Sequence, residues 1–387
     1  MRATGQARSR IRSVIAALAA FGAVLALAAC GGGGTVGGAN EGPATTAQGG
    51  KATGDWTFSN WPGYIDPGSN GTIARFDKSS GLQTKYIEDV NDNNQFFGKM
   101  QPLLQQGQSG GRSLFVVTDW MAKQMHDLGY LQNINPATIP TVDKNLIPRL
   151  RNSPLDPNRQ FSIPWQSGMT GIWVDTSKAP EIHSVNDLFK PKYKGKVTFL
   201  TELRDTVELV MKADGVDPAT ASKQQWLDAI DKLNKAVDSG QIRAFTGNEY
   251  TEDLNSGNIV AAVGWSGDAS IISNKNAEWR MPTEGCTTFS DMMVIPVGAP
   301  NTAAALDFMN YVYEPKNAAK LAAYINYVTP VTGVQQVFQK TDPSLANDNL
   351  IFPTTSFLKK CTPNLNPRGG PKAVAEVTNA FQNVITK

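Results

Sequence analysis

The sequence predicts an α/β fold in two lobes, and three observations lead to it. Short runs rich in valine and isoleucine alternate with helix-period stretches along residues 55–387, a pattern of sheets covered by helices. That stretch is too long for one hydrophobic core, so it should divide. Several strands also run into aromatic rings and carboxylates, and open α/β sheets bind ligands just beyond strand carboxyl ends.

The chain opens with an export signal. Arg2, Arg8, Arg10 and Arg12 form a basic head, and Ile15–Ala29 is apolar and ends in small residues. This is too short and wrongly flanked for a stable membrane span. Leu27-Ala28-Ala29-Cys30 resembles the bacterial lipobox, in which the cysteine becomes acylated; an ordinary cleaved signal is the alternative. Acyl chains on Cys30 would hold the protein at the outer face of the cytoplasmic membrane, at about 0.8 kcal/mol per buried CH₂. Residues 31–54 are rich in Gly, Ala and Thr with almost no large apolar side chain, and so predict a flexible tether reaching roughly 25–30 Å. Removal of the signal takes four arginines from the 36 basic residues and leaves 32 against 34 acidic ones. A body near net −2 has no basic face for nucleic acid, and no nucleic-acid partner is expected.

In the body, a strand over Asp55–Ser59 runs into Asn60-Trp61-Pro62-Gly63-Tyr64. Leu114–Val117 runs into Thr118-Asp119-Trp120, and Val197–Leu200 into Thr201-Glu202-Leu203-Arg204-Asp205. Ile259–Val263 runs into Gly264-Trp265-Ser266-Gly267-Asp268, and an apolar strand over Met292–Ile295 follows Asp291. Such rings are either the rim of the core or the wall of a cleft. Between the strands, Trp226, Ile230, Leu233 and Val237 share one face of a helix near 222–238 that Gly240 stops, which makes Trp226 core. A second helix near 302–313 is closed by Pro315, and a third follows Pro371. Trp56, Trp173 and Trp279 read as structural.

With Cys30 acylated, Cys286 and Cys361 are an even pair in an oxidising compartment, and a disulfide between them is the default. The two histidines, His126 and His183, stand in ordinary polar contexts. No nucleophile elbow, P-loop or dinucleotide fingerprint is present, so no catalytic residue and no cofactor is expected.

Taken together, Asn60-Trp61 with Tyr64, Val117-Thr118-Asp119-Trp120, Ser162-Ile163-Pro164-Trp165, Pro191-Lys192-Tyr193-Lys194-Gly195, Glu202-Leu203-Arg204-Asp205, Gly264-Trp265-Ser266-Gly267, Phe289-Ser290-Asp291 and Tyr327-Val328-Thr329-Pro330 resemble a known family. The order and spacing are similar to those of the solute-binding proteins of polyamine ABC transporters, the spermidine/putrescine-binding group. The resemblance implies a non-enzymatic, monomeric protein that hands its ligand to ABC permease subunits. It also implies a type 2 periplasmic-binding-protein fold with a ligand cleft between lobes. One lobe would hold residues 55–166 with 290–335, and the other 167–289 with 336–387. The chain would cross between them at Gly168–Gly171 and Thr287–Ser290.

A polyamine is a string of ammonium groups separated by methylenes, so its site needs spaced carboxylates with aromatic faces between them. Carried over by motif, the aromatic wall is Trp61, Tyr64, Trp120, Trp265, Phe289 and Tyr327, the central carboxylate Asp291, the acidic pair Glu202 and Asp205, and the cleft hydroxyl Thr118. Each has a structural alternative: a Trp after a strand is as readily core, and Asp205 could pair with Arg204 or cap a helix. Members of this family carry an acidic residue where Pro62-Gly63 stands here, and Asp119 is the candidate replacement. An amine with one charged end also suits this departure. Two other classes stay open. A sugar-binding lipoprotein or glycosidase would place Glu202 and Asp291 across a sugar, and a ferric-ion or thiamine binder would need more tyrosine oxygens than Tyr64 and Tyr327 supply.

Overall fold

The computed structural model describes residues 45–387; the export signal, Cys30 and residues 31–44 lie outside the described residues. Ten strands form one mixed sheet: β1 (Asp55–Asn60), β2 (Gln83–Glu88), β3 (Leu114–Thr118), β4 (Ser162–Asp175), β5 (Val197–Leu200), β6 (Ile242–Thr246), β7 (Ala261–Trp265), β8 (Ala277–Arg280), β9 (Thr287–Val294) and β10 (Thr362–Pro363). The strand order is β2-β1-β3-β9-β4-β7-β5-β6, with β8 on β4 and β10 on β9. Two parallel groups result, β2-β1-β3 and β7-β5-β6, and between them run β9 and β4, antiparallel to each other and to their outer neighbours. The fold is two-lobed α/β. β4 pairs with β9 over Ser162–Thr170 and with β7 over Thr170–Val174, so one long strand serves both halves. Its ladder slips between Pro164 and Gln166, next to a residue with no N–H to give.

Burial explains why these strands read so plainly. Every residue of β3, β5 and β7 is buried, as parallel strands covered by helices on both faces must be. In the first half Trp56, Phe58, Phe76, Trp165 and Phe308 interlock, with ring centroids 5.2–6.1 Å apart. Such pairs contribute about 0.5–1.5 kcal/mol each beyond their area. In the second half the helix Lys223–Asp238 starts at a capping box, Ser222 with Gln225, and buries Trp226 completely.

Four expectations shift. Pro315 opens a helix, Pro315–Ile325, at its first position, where a missing N–H costs nothing. β7 begins two residues later than Ile259, so Trp265 is its last residue. Asp291 lies inside β9 instead of before a strand at Met292. Residues 46–53 are not free tether. Thr46 bridges Asn133, Ala47 is buried, and the carbonyls of Gln48 and Thr53 accept from Thr302 and Asn301. These are mostly backbone bonds, which composition does not reveal.

Candidate functional site

The chain leaves β1, β3, β5 and β7 at one cavity. Trp61, Pro62 and Tyr64 follow β1, Thr118 ends β3, Glu202 and Asp205 follow β5, and Trp265 ends β7. Asn248 and Asp268 come from the turns after β6 and β7, Phe289 and Asp291 from β9, and Tyr327 from the loop after Pro315–Ile325. The space open to the centre of a water-sized sphere is about 30 Å³, room for one or two waters.

Four of the lining residues are carboxylates, and none is lysine or arginine. The β3–β9 register sets Thr118 opposite Asp291, whose oxygens accept from Thr118 Oγ1 at 2.9 Å and the Tyr64 hydroxyl at 3.0 Å. Asp268 accepts from the Tyr327 hydroxyl at 2.7 Å, from Asn248 Nδ2 at 3.0 Å and from the Tyr250 hydroxyl. Asp205 accepts from Thr170 Oγ1 at 2.7 Å, Asn364 Nδ2 at 3.0 Å and Trp265 Nε1 at 3.1 Å. Glu202 accepts from the Asn93 backbone N–H at 2.6 Å and from its Nδ2 at 2.9 Å. Asn248 leaves its own Oδ1 without a protein partner.

Burial disfavours the charged form of each acid. It pushes Asp291 up to about 7 despite Thr118 and Tyr64, and Asp268 up to about 6 despite its three donors. Asp205 is raised by burial as well, and Glu202 is raised well above the usual range by burial and then by Asp92 and Asp205. A cation placed among them would reverse this, because each carboxylate then has a counter-charge in a water-poor space.

Aromatic rings wall the cavity. Trp61 meets Trp265 edge to face at 5.8 Å, Tyr64 meets Tyr327 at 4.7 Å, and Phe289 touches both Trp265 and Tyr327 at 6.5 and 6.3 Å. Glycine makes room for Tyr327 on two sides. A Cβ on Gly267 would stand 2.1 Å from its ring, and one on Gly168 would stand 2.4 Å from Phe289 and 2.9 Å from Tyr327.

Residues 71–353 match the bacterial extracellular solute-binding protein family. The chain belongs to that family. The solute-binding protein is similar to the spermidine/putrescine-binding periplasmic protein of Escherichia coli, 26% identical over 306 residues, covering 78% of this chain and 84% of the relative. It is also similar to a putrescine-binding periplasmic protein of Pseudomonas aeruginosa, 28% identical over 325 residues, with 78% and 84% covered. Among solved structures, a putative spermidine/putrescine ABC transporter protein from Listeria monocytogenes shares the fold with a TM-score of 0.74 and 24% identity, over 85% of this chain and 98% of that one. These relatives are transport binding proteins and not enzymes.

Within the solute-binding protein, the cavity brings together Trp61, Tyr64, Thr118, Glu202, Asp205, Trp265, Phe289, Asp291 and Tyr327. Asp119 and Trp120 are not among its lining residues. Asp119 opens the helix Asp119–Asp127 and lines a neighbouring cavity beyond Phe289, where burial pushes it up to about 6. Trp120 lies under the Arg204 guanidinium, 3.5 Å from carbon to ring centroid. Arg204, pushed down to about 10 by burial, sits among Glu202, Glu208, Asp119 and Asp205 and offsets part of their charge. Sequence reasoning missed Asp268, Asn248 and Tyr250. The signal for Asp268 was its place three residues after Trp265, where the short 3₁₀ turn Ser266–Ser270 folds it back over the strand end. Cys286 and Cys361 form a disulfide, with Cα atoms 4.4 Å apart.

Proposed function

We propose that this solute-binding protein captures a small linear amine of the polyamine class and delivers it to an ABC permease. The observation that carries the reading is the convergence of four buried carboxylates on one ring-walled cavity with no basic residue in its lining. The binding specificities named for its relatives support it. Asp291 is the main anchor, with Tyr64 and Thr118 fixing its orientation. Asp268 replaces the carboxylate that Pro62-Gly63 does not provide, and Asn248 Oδ1 is an acceptor left over for an ammonium N–H. The rings cover methylenes, where a desolvated cation–π contact contributes about 2 kcal/mol.

The lobes we assign are 55–166 with 290–335, and 167–289 with 336–387, joined through β4 and β9. Rings on the two sides touch, so an amine enters only when the lobes part, and closure then strips its water. Acyl chains on Cys30 would keep this cycle at the outer face of the cytoplasmic membrane.

Calorimetry against putrescine, spermidine and a neutral sugar tests the reading. Binding of an amine, weakened by roughly 2–5 kcal/mol in Asp291→Asn, is expected. Tight binding of the sugar that survives Asp291→Asn would sink it.

A further inference from the structure

Asp205 is gripped by a part of the chain that belongs to none of the central strands. β10 lies parallel to β9, with Thr362 opposite Thr287 and Pro363 opposite Thr288, and the Asn364 N–H extends the ladder to the Thr288 carbonyl at 2.9 Å. Immediately before this pairing the Cys286–Cys361 disulfide ties the segment to the residue that precedes β9. Immediately after it, three successive residues meet the start of the helix Leu203–Ala213. Asn364 Nδ2 donates to Asp205 Oδ1 at 3.0 Å, the Leu365 N–H donates to Glu208 Oε1 at 2.7 Å, and Arg204 donates to Asn366 Oδ1. Residues 361–366 are a strap, covalently fixed at one end and hydrogen-bonded to the acidic turn at the other.

We propose that Asn364 is a positioning residue for Asp205, and that the Cys286–Cys361 bond keeps its amide on that carboxylate by fixing the register of the strap on β9. This rests on reading the cavity as an amine site. Register is the crux: β10 is only two residues long, and a slip of one residue turns the Asn364 side chain to the opposite face. Two ladder bonds at that edge, from Thr362 to Cys286 and from Asn364 to Thr288, are a weak guard against such a slip. A covalent link one residue before the strand removes it. With Asn364 and Thr170 on one oxygen and Trp265 on the other, the carboxylate plane is held towards the cavity before any ligand arrives.

The charged groups around Asp205 are Glu202, Arg204 and Glu208 on its own helix turn and Asp291 on β9. The strap itself brings only neutral donors to this carboxylate. Asn364 is the first of the hydrogen bonds that oppose burial in setting the proton affinity of Asp205. Its loss therefore raises that affinity, and a binding site that needs the carboxylate ionised weakens at higher pH than before.

The test is a double-mutant cycle on spermidine and putrescine affinity, using Asn364→Ala, Cys286→Ser with Cys361→Ser, and all three together, each checked for a cooperative melt. Asn364→Ala should lower affinity about tenfold, the scale of one charge-assisted hydrogen bond, and move the acid limb of the affinity–pH curve upward. In the disulfide-free background the same substitution should change affinity less than about twofold, because the amide is already displaced. Asn364→Gln should recover part of the loss. If the native protein binds the amine and Asn364→Ala binds it equally well, or loses the same factor in both backgrounds, the proposal is overturned and the amine reading stands. If the native protein binds neither amine, the reading of the site fails and the proposal with it.

Discussion

At Asp291 binding and stability pull in opposite directions. Its folded-state proton affinity, about 7, is raised above the ordinary aspartate value, so its contribution to stability is fully present below the unfolded value and lost as pH rises through 7. Ligand-free Asp291→Asn should therefore be more stable than the native protein at pH 8, by about 1–3 kcal/mol in urea unfolding, and nearly equal at pH 4. An unchanged or lower stability at pH 8 would show that the carboxylate is already neutralised inside the protein. Amine affinity should run the other way. The amine stays protonated below pH 8 while Asp291 near 7 and Asp268 near 6 take up protons, so affinity should fall about tenfold from pH 8 to pH 6. A flat profile would remove these two acids from the site. Most of the wall was legible because each residue followed a recognisable strand. Asp119 and Trp120 also follow β3, but the helix begins at Asp119, and Asp119 borders the adjoining cavity while Trp120 stacks on Arg204. Asp268 was hidden by a short turn that no periodicity announces.

Among the elements, the turn after β7 and the strand β4 depend on side chains that are missing. Gly267→Ala would drive a methyl into the Tyr327 ring, so we expect about 1–3 kcal/mol of destabilisation and a loss of amine affinity of at least about tenfold. An alanine variant with native affinity would mean that Tyr327 is free to move aside. The disulfide closes a sequence separation of 75 residues, which in the chain-entropy model stabilises by about 4 kcal/mol. Thiol titration of the denatured, unreduced protein should find neither Cys286 nor Cys361 reactive; two titrating thiols would break this picture. The pairing followed from cysteine parity, but the strap it secures did not. The bonds of residues 364–366 to α-helical residues far away in sequence have no local signature.

For the whole molecule, rings of the two lobes we assign meet where Trp61 faces Trp265 at 5.8 Å and Phe289 faces Tyr327 at 6.3 Å, around only about 30 Å³, so the lobes must part to admit an amine. In stopped-flow mixing, the observed binding rate should level off at high amine concentration, because opening precedes capture. A rate that climbs linearly to the diffusion range would show that the closed form admits ligand directly. The alternation of parallel strands and helices made both lobes readable, whereas the closed geometry depends on contacts between distant segments. The acid cluster has a last consequence for the molecule as an object carrying charge. Near pH 6, where Asp291 and part of Asp268 hold protons when alone, they must give them up when an ammonium arrives, so capture there is an exchange of one kind of cation for another. The heat of binding then depends on the buffer that receives the protons, while the electrophoretic mobility of the protein hardly changes. At that pH a carrier built this way has almost the same total charge whether it is empty or full.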